Sequence, residues 1–306
     1  MNPKRFAVTG SFGYSGKYIT RELLKEGHEV ITLTGNPDRA NPFGAQVKAY
    51  PFNFGTPEKL VQTLRGVDAL INTYWVRFDY GGTTYKQTVT NSRVLFQAAK
   101  DAGVDRLVHV SITNPDEQSP LPYFSGKAEL EKSIQESGIS YAILRPAVIF
   151  GQEDILINNI AWFLRYFPFF PIPGDGEYKL QPIYVTDLAK LAVEMASKEE
   201  NVVIDAIGPE TFTFNELVAL LKSTVRSWSV PVHVPPSLSF YLSSMIGKFV
   251  GDVVLTRDEV LGLMDNLLVT DSPPTGDTQL SDWVRENKIT LGKRYANELN
   301  RHFKGV

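Results

Sequence analysis

Tyrosine and lysine stand four positions apart in the stretch LPYFSGKAEL, as Tyr123 and Lys127. Residues i and i+4 share one face of a helix, so a helix here would bring the phenol and the ammonium group together. A free tyrosine has a pKa of about 10, but a neighbouring ammonium stabilises the phenolate and lowers that pKa. Such a pair can exchange a proton with an alcohol or a carbonyl. The same spacing also arises by chance, with the tyrosine in a core and the lysine in solvent, so the surrounding elements must decide.

A glycine-rich stretch, AVTGSFGYSGKYI, lies where the first apolar run of the chain gives way to a helical pattern. Glycines at such a junction allow a tight turn and a close approach of the backbone to a pyrophosphate, which the helix N-terminus then binds. The pattern of a phosphate-loop NTPase is absent, since Ser11 replaces its first glycine and Tyr18 its magnesium-binding hydroxyl. We therefore predict a dinucleotide site formed by Gly10, Phe12, Gly13, Tyr14, Ser15 and Gly16.

The residues after the second predicted strand, in ITLTGNPDR, bear on the choice of cofactor. NAD-binding proteins usually carry an acidic residue at this point for the ribose 2′-hydroxyl, and here no carboxylate precedes Asp38. We predict that Asn36 and Arg39 lie at the adenosine ribose, with Arg39 facing a 2′-phosphate. NADP is therefore the expected cofactor and NAD the alternative. If Arg39 is only a solvated loop charge, this preference loses its basis.

Short β-branched runs alternate with helical stretches over the first half of the chain, which is typical of βαβ units and a parallel sheet. The strand-like runs are RFAVT, EVITLT, VKAYPF, DALINT, RLVHVS and YAILR. We predict an α/β fold with a doubly wound parallel sheet over 1–150 that binds the dinucleotide. Residues 151–306 are expected to form mainly a smaller substrate lobe, with a segment at about 180–207, including NVVIDAIG, returning to the sheet.

Composition and charge exclude several classes of protein. The chain has 306 residues, a net charge of -3 and no cysteine, so a nucleic-acid-binding field and thiolate metal sites are not expected. Its four histidines show no metal-ligand spacing. The start of the sequence runs straight into a strand pattern, so we expect no signal peptide and a cytoplasmic protein. The apolar stretches 160–173 and 238–255 are too short or too interrupted to span a membrane.

The glycine turn TGSFGYSG resembles the T-G-x-x-G-x-x-G motif of the extended and atypical short-chain dehydrogenase/reductase superfamily, whose domain is a Rossmann fold. Ser111 ends RLVHVS twelve residues before Tyr123, as the serine of that family does. NSRVLFQAAKDAGVDRLVHVS and SYAILRPAVIFG are similar to further segments of the superfamily. The resemblance covers roughly residues 5–226.

This resemblance implies roles for particular residues. Tyr123 would be the acid/base, Lys127 would hold the nicotinamide ribose as well as tune the tyrosine, and Ser111 would bind the substrate oxygen. Asn91 would position a water or act as a strut. Further cofactor contacts are expected at Asn53, Phe54, Thr73 and Tyr74. The substrate-facing residues are expected to be Tyr74, Asn114, Asn158, Tyr178 and Gln181.

Three functions stay open from the sequence. The first is an NAD(P)-dependent oxidoreductase acting on an unidentified carbonyl or alcohol. The bulky residues in INTYWVRF are similar to atypical members, among them the complex I accessory subunit and NmrA-like regulators, so a non-catalytic scaffold or redox sensor is the second. A nucleotide-sugar epimerase or dehydratase is the third. The aromatic stretch 160–173 is expected to pack the lobe, with an apolar substrate or a peripheral membrane contact as lesser possibilities, and the oligomeric state is left open.

Overall fold

A computed structural model of the chain describes residues 3–302. The strands are β1 (Arg5–Thr9), β2 (Glu29–Thr34), β3 (Val47–Pro51), β4 (Ala69–Asn72), β5 (Arg106–Val110), β6 (Ser140–Pro146), β7 (Ile149–Phe150), β8 (Phe169–Pro173), β9 (Lys179–Leu180), β10 (Ile183–Tyr184), β11 (Val202–Ala206), β12 (Phe212–Thr213) and β13 (Val230–Val234). The helices are α1 (Tyr14–Lys25), α2 (Pro57–Leu64), α3 (Tyr85–Ala102), α4 (Pro122–Gln135), α5 (Leu156–Tyr166), α6 (Val185–Ala196), α7 (Phe214–Thr224), α8 (Pro236–Val250), α9 (Arg257–Met264), α10 (Leu280–Glu286) and α11 (Glu298–His302).

The chain divides into two compact units. Unit 1 consists of Met1–Pro146 and Val185–Ala206, and unit 2 of Ala147–Tyr184 and Ile207–Val306. The helix α6 and the strand β11 are thus the second segment of unit 1. Among the helices of residues 3–302, none combines the length and the apolar character needed to cross a bilayer.

Unit 1 is built on one seven-stranded sheet of order β11-β6-β5-β4-β1-β2-β3. All of its strand pairs are parallel. The inner strands β1, β4 and β5 are buried on both faces, which explains why they read as continuous apolar runs, whereas the edge strands β3 and β11 are partly exposed. The strand order reverses between β1 and β4, the position at which doubly wound sheets bind their ligands. The predicted fold class is confirmed.

The helices of unit 1 begin and end where local chemistry requires. The Thr84 hydroxyl accepts a hydrogen bond from the Gln87 amide at the start of α3, and Gly103 ends that helix with φ 76°. Pro122 occupies the first turn of α4, where a missing N–H costs nothing. The two prolines before Tyr123 therefore lead into this helix rather than break it.

Unit 2 has a helical core formed by α5, α7 and α10, with β7–β10, β9–β12 and β8–β13 as two-stranded pairs. The aromatic stretch 160–173 supplies Phe163, Phe170 and Ile172 to this core. Its expected packing role is thus seen for these side chains, while Tyr166 and Phe169 are exposed.

Candidate functional site

The glycine turn after β1 has the geometry of a close backbone approach. Gly10 has φ 69°, its amide donates to the Leu33 carbonyl at 2.9 Å, and the Gly13 amide donates to the Gly10 carbonyl at 2.8 Å. A Cβ on Gly16 would lie 2.7 Å from the carbonyl carbon of Gly10, so only glycine fits there. The turn can therefore take a phosphate against its backbone.

The first turn of α1 faces the same position. Gly13 is the N-cap residue and no side chain caps the helix, so the N-terminus of α1 is of the kind at which anions bind. Phe12, Tyr14 and Ser15 are half-buried around this turn, and the Tyr14 ring meets the Tyr18 ring edge-on at 6.0 Å. These positions fit the pyrophosphate of a dinucleotide.

Buried hydroxyl groups support the turn from below. The Thr20 hydroxyl donates to the Ser11 hydroxyl at 2.8 Å, and the Ser11 amide donates to Thr32 Oγ1 at 3.0 Å. The Thr32 hydroxyl in turn donates to the Val8 carbonyl at 2.8 Å. Since Ser11, Thr20 and Thr32 are all fully buried, side chains of unit 1 alone fix the turn.

The loop after β4 is tied to the end of β1. The Thr73 amide donates to Thr9 Oγ1 and the Thr73 hydroxyl donates to the Thr9 carbonyl, both at 2.6 Å. Behind them Asn72 Oδ1 accepts from the Thr9 hydroxyl at 3.0 Å, and Asn72 Nδ2 lies 2.9 Å from His109 Nδ1. Burial, and then the charge of Lys127, hold the pKa of His109 well below its usual range. His109 is therefore a neutral support, and its Nε2 has no hydrogen-bond partner among the described residues.

Aromatic side chains line the region between β3 and β4. The rings of Phe52 and Phe54 lie 4.8 Å apart, and the Tyr74 ring packs on them at 4.8 and 5.3 Å. Asn53, between the two phenylalanines, has φ 49°. Asn91 Nδ2 donates to the Tyr74 hydroxyl at 3.0 Å, so the predicted strut holds this tyrosine.

The loop after β2 contains Arg39, the cation predicted to face a 2′-phosphate. The Asn36 amide donates to the Thr34 hydroxyl and the Arg39 amide to the Asn36 carbonyl, each at 3.3 Å. Asn36 and Asp38 are exposed, whereas Arg39 is half-buried. A phosphate group at this loop would thus meet a guanidinium.

Lys127 is a buried lysine on the inner face of α4. It is 3% exposed, its Nζ donates to the Val110 carbonyl at 2.8 Å, and Nζ stands 4.5 Å from the centre of the Trp75 ring. Burial lowers its pKa to about 7, against the opposing charge of Glu131. The amine is therefore poised to change its charge near neutral pH.

Tyr123 lies one turn before Lys127 and is half-buried in an aromatic group. Its ring meets the ring of Trp75 edge-on at 5.5 Å and that of Tyr85 at 6.0 Å. A Cβ on Gly126 would come within 3.0 Å of the Trp75 ring, so this glycine makes room for the indole. The helix does place the predicted pair on one face, and Trp75 contacts both members of it.

Ser111 is engaged by a carboxylate. Its hydroxyl donates to Glu131 Oε1 at 2.5 Å, and Arg145 Nε bonds the same oxygen at 3.0 Å. Ser111 and Glu131 are each 4% exposed. The role of Ser111 toward a substrate stays a prediction, because its hydroxyl is used inside unit 1. Asn114, in the loop after β5, is exposed with φ 51°.

Three further candidates lie in unit 2 and are bonded within it. Asn158 Nδ2 donates to the Arg294 carbonyl at 2.9 Å, and its Oδ1 accepts from the Gly292 amide. The buried Tyr178 hydroxyl donates to the Pro173 carbonyl at 3.0 Å, and burial raises its pKa. Gln181 is 7% exposed, and its Oε1 has no partner among the described residues. Substrate roles for Asn158, Tyr178 and Gln181 stay predictions.

Sequence reasoning missed Glu131 and Arg145, and it noted Trp75 only as one of the bulky residues of INTYWVRF, without its contact with Lys127. Glu131 could have been found from the sequence, since it follows Lys127 by four residues on the same helical face. Trp75, in the loop after β4, contacts Lys127 of α4 only because the fold brings these two segments together. Within residues 3–302, no group of three or more His, Cys, Asp or Glu side chains is arranged to hold a metal ion.

Comparisons of the chain with known proteins relate it to NAD(P)H-binding proteins. Residues 10–157 match the family model described as NAD(P)H-binding. The chain is 23% identical over 285 residues to NADH dehydrogenase (ubiquinone) 1 alpha subcomplex subunit 9, mitochondrial, of Arabidopsis thaliana, covering 87% of this chain and 71% of that protein. It is 28% identical over 220 residues to quinone oxidoreductase 2 of Escherichia coli, covering 70% of this chain and 72% of that one.

Among solved structures, the chain is similar to the triphenylmethane reductase of Citrobacter sp., crystallised with NADP(H). The TM-score is 0.76 at 20% identity, over 92% of this chain and 99% of that chain. The glycine turn, the sheet order and these matches agree with the resemblance read from the sequence. Residues 10–157 therefore match an NAD(P)H-binding family, and the solved structure shares the fold of the chain.

Proposed function

We propose that the protein is an NADP(H)-dependent oxidoreductase for a small, apolar carbonyl or quinone-like acceptor. The observation that carries the proposal is the buried Lys127, held beside Tyr123 with a pKa of about 7. Burying an amine is costly, and perturbed lysines cluster at sites that move protons. A bound nicotinamide would supply or accept the hydride.

The chain's own groups fit the cofactor. The glycine turn and the first-turn amides of α1 would bind the pyrophosphate. Arg39 would pair with a 2′-phosphate, since the loop after β2 offers no carboxylate before the exposed Asp38. NADP is thus favoured over NAD. Gly16→Val should lower NADPH affinity by about a hundredfold or more, because the added side chain would overlap the Gly10 carbonyl.

Tyr123 would handle the proton. When the Lys127 amine is charged, it stabilises a phenolate and makes Tyr123 a better acid toward a carbonyl oxygen. Trp75 and Tyr85, which border the Tyr123 ring, offer an apolar wall to a planar acceptor. The similarity to a quinone oxidoreductase and to a triphenylmethane reductase supports this class of acceptor.

The first experiment follows NADPH oxidation by the purified protein against quinones, enones and simple carbonyls. Tyr123→Phe should lower kcat by about a hundredfold or more while the Kd for NADPH stays unchanged. Tyr166→Phe is the matched control, since Tyr166 lies in unit 2 and its hydroxyl bonds the Lys293 carbonyl. Equal turnover by Tyr123→Phe and the native protein would end the acid/base role of Tyr123.

A second function is favoured by a different observation. The Ser111 hydroxyl is bound by Glu131 and the Lys127 amine by the Val110 carbonyl, so two groups of the expected triad are engaged in structure. This arrangement suits a protein that holds NADP(H) as a scaffold or sensor. It predicts a retained cofactor that no acceptor in the panel consumes. Retained NAD that shows no net change of redox state during turnover would instead indicate an epimerase or dehydratase.

A protein partner and a cellular location for this chain are hypotheses. Because one relative is named as a subunit of a mitochondrial dehydrogenase, a protein partner is a hypothesis beside the small-molecule substrate. The cytoplasmic location expected from the sequence stays a prediction.

A further inference from the structure

Helix α8 has one packed side and one exposed side. Its two buried residues are Ser239, 2% exposed, and Gly247. A Cβ on Gly247 would lie 2.6 Å from the Asp252 carbonyl oxygen, so the backbone of the next segment lies against this side of the helix. Ile246, which is half-buried, packs on the core of unit 2 from the same side.

Large apolar side chains occupy the opposite side of α8. They follow one another at spacings of three, four and four residues, which places them in a single ridge along the helix. Their exposed fractions range from 42% to 85%, well beyond the scattered apolar residues of an ordinary surface. The ridge consists of Leu238, Tyr241, Met245 and Phe249.

Unit 2 exposes further apolar side chains on the strand pair that α8 contacts. Helix α8 packs against β8, and the β8–β13 pair aligns Phe169 with Val230, which are 63% and 51% exposed. Trp228, just before β13, is 67% exposed. We call the ridge of α8 the α8 surface.

The sequence around the α8 surface has one sign of charge. From 217 to 251 it has no Asp or Glu, whereas it contains Lys222, Arg226 and Lys248, in a chain whose net charge is -3. The next carboxylate, Asp252, is 8% exposed and accepts hydrogen bonds from the amides of Glu298 and Leu299. Lys248 thus lies on the same helix as the ridge, within a segment that carries no carboxylate, and the next acid along the chain is used inside unit 2.

We propose that the α8 surface docks on an anionic lipid bilayer, with α8 lying in the plane of the interface. Aromatic and aliphatic side chains beside Lys and Arg are the composition of helices that lie at a membrane surface. Cations near such a helix are attracted to acidic headgroups. A second copy fits less well, because a two-fold interface would set Lys222, Arg226 and Lys248 close to the same cations of the other copy.

The test is flotation of the full-length protein with vesicles of phosphatidylcholine alone and of phosphatidylcholine mixed with phosphatidylglycerol. The native protein should float with the mixed vesicles, and added salt should weaken this binding. The double substitution Tyr241→Glu with Phe249→Glu should lower the bound fraction about tenfold or more. Both side chains are exposed, so circular dichroism and the thermal midpoint should stay native.

Two further variants separate the parts of the proposal. Ile289→Glu is the matched control, since Ile289 is 67% exposed in unit 2 but lies outside the α8 surface, and it should float like the native protein. Arg226→Glu with Lys248→Glu should weaken binding to mixed vesicles and leave the native fold.

Three results would overturn the proposal. The first is no flotation with mixed vesicles, and the second is flotation that the Tyr241 and Phe249 substitutions do not change. The third is a native dimer in solution that those substitutions convert to a monomer, which would assign the α8 surface to a second copy. Equal flotation with both kinds of vesicle would remove the anionic headgroup from the assignment.

Discussion

Helices α4 and α8 both depart from the usual rule of apolar residues inside and polar residues outside, but in opposite ways. Helix α4 buries two charged side chains, Lys127 and Glu131. Helix α8 buries a serine and a glycine and exposes Tyr241 and Phe249. In α4 the unfavourable term is the burial of charged groups. In α8 it is the exposure of apolar side chains to water.

The difference lies in where each cost is compensated. In α4 the partners are present, because Glu131 bonds Ser111 and Arg145 while Lys127 bonds a backbone carbonyl and the Trp75 ring. In α8 nothing within residues 3–302 covers the ridge, and the proposed bilayer would cover it. Departures of the first kind indicate chemistry and those of the second kind indicate docking.

A large effect is expected from a substitution of the buried carboxylate of α4. Glu131→Gln should lower the free energy of unfolding by about 3 kcal/mol, because it leaves the Arg145 guanidinium without its buried counter-charge. Urea denaturation followed by circular dichroism measures this. Glu129→Gln, on the exposed side of the same helix and paired with Arg93, should cost no more than about 0.5 kcal/mol. Equal losses would show that burial does not distinguish the two carboxylates.

The amine of α4 should make stability depend on pH. The pKa of Lys127 is about 7 in the folded chain and 10.5 in a free lysine, so between these values the unfolded chain binds a proton that the folded chain lacks. Stability must then rise with pH through this window, by at most about 1.4 kcal/mol per pH unit, and stay flat below it. Lys127→Met should lose the rise. A Lys127→Met variant with the native pH dependence would contradict a neutral buried amine.

On α8, a substitution on the packed side should lower the free energy of unfolding more than one on the exposed side. Gly247→Ala should cost about 1 to 2 kcal/mol, because the new methyl group meets the Asp252 carbonyl oxygen. Ser244→Ala, at an exposed position of the same helix, should change the free energy of unfolding by less than about 0.5 kcal/mol. If the two substitutions behave alike, the packed side of α8 has been assigned wrongly.

The smallest effect is expected for the ridge itself. Phe249→Ser should change the free energy of unfolding by less than about 0.5 kcal/mol, since this ring is 85% exposed. Leu130→Ala, a fully buried position in α4, should lose about 3 kcal/mol under the same conditions. A loss for Phe249→Ser that approaches the loss for Leu130→Ala would mean that the ridge is already covered within the protein.

Much of unit 1 could be predicted from local sequence. Continuous β-branched runs indicate buried parallel strands, and Gly103 ends α3 because its φ of 76° suits glycine. The spacing of Tyr123 and Lys127 placed both on one helical face. The engagement of Ser111 was not predicted, because its partner Glu131 lies on α4 and meets the end of β5 only in the folded unit.

The polarity of α8 could not be read from its sequence. The stretch 238–255 was recognised as apolar and too interrupted to span a membrane, but helical periodicity alone favours burying its apolar side. The fold instead leaves the ridge exposed and packs the side that contains Ser239, Ile246 and Gly247. Such an arrangement is decided by tertiary packing rather than by propensity.

The hydroxyl groups beneath the glycine turn also affect the thermodynamics and kinetics of cofactor association. Ser11, Thr20 and Thr32 hold the turn in place with bonds that need no ligand. The incoming pyrophosphate therefore does not have to order this backbone, and the entropic penalty of ordering falls on the cofactor itself. Association should accordingly be fast and single-phased, with differences in affinity among cofactors expressed mainly in how slowly each one leaves.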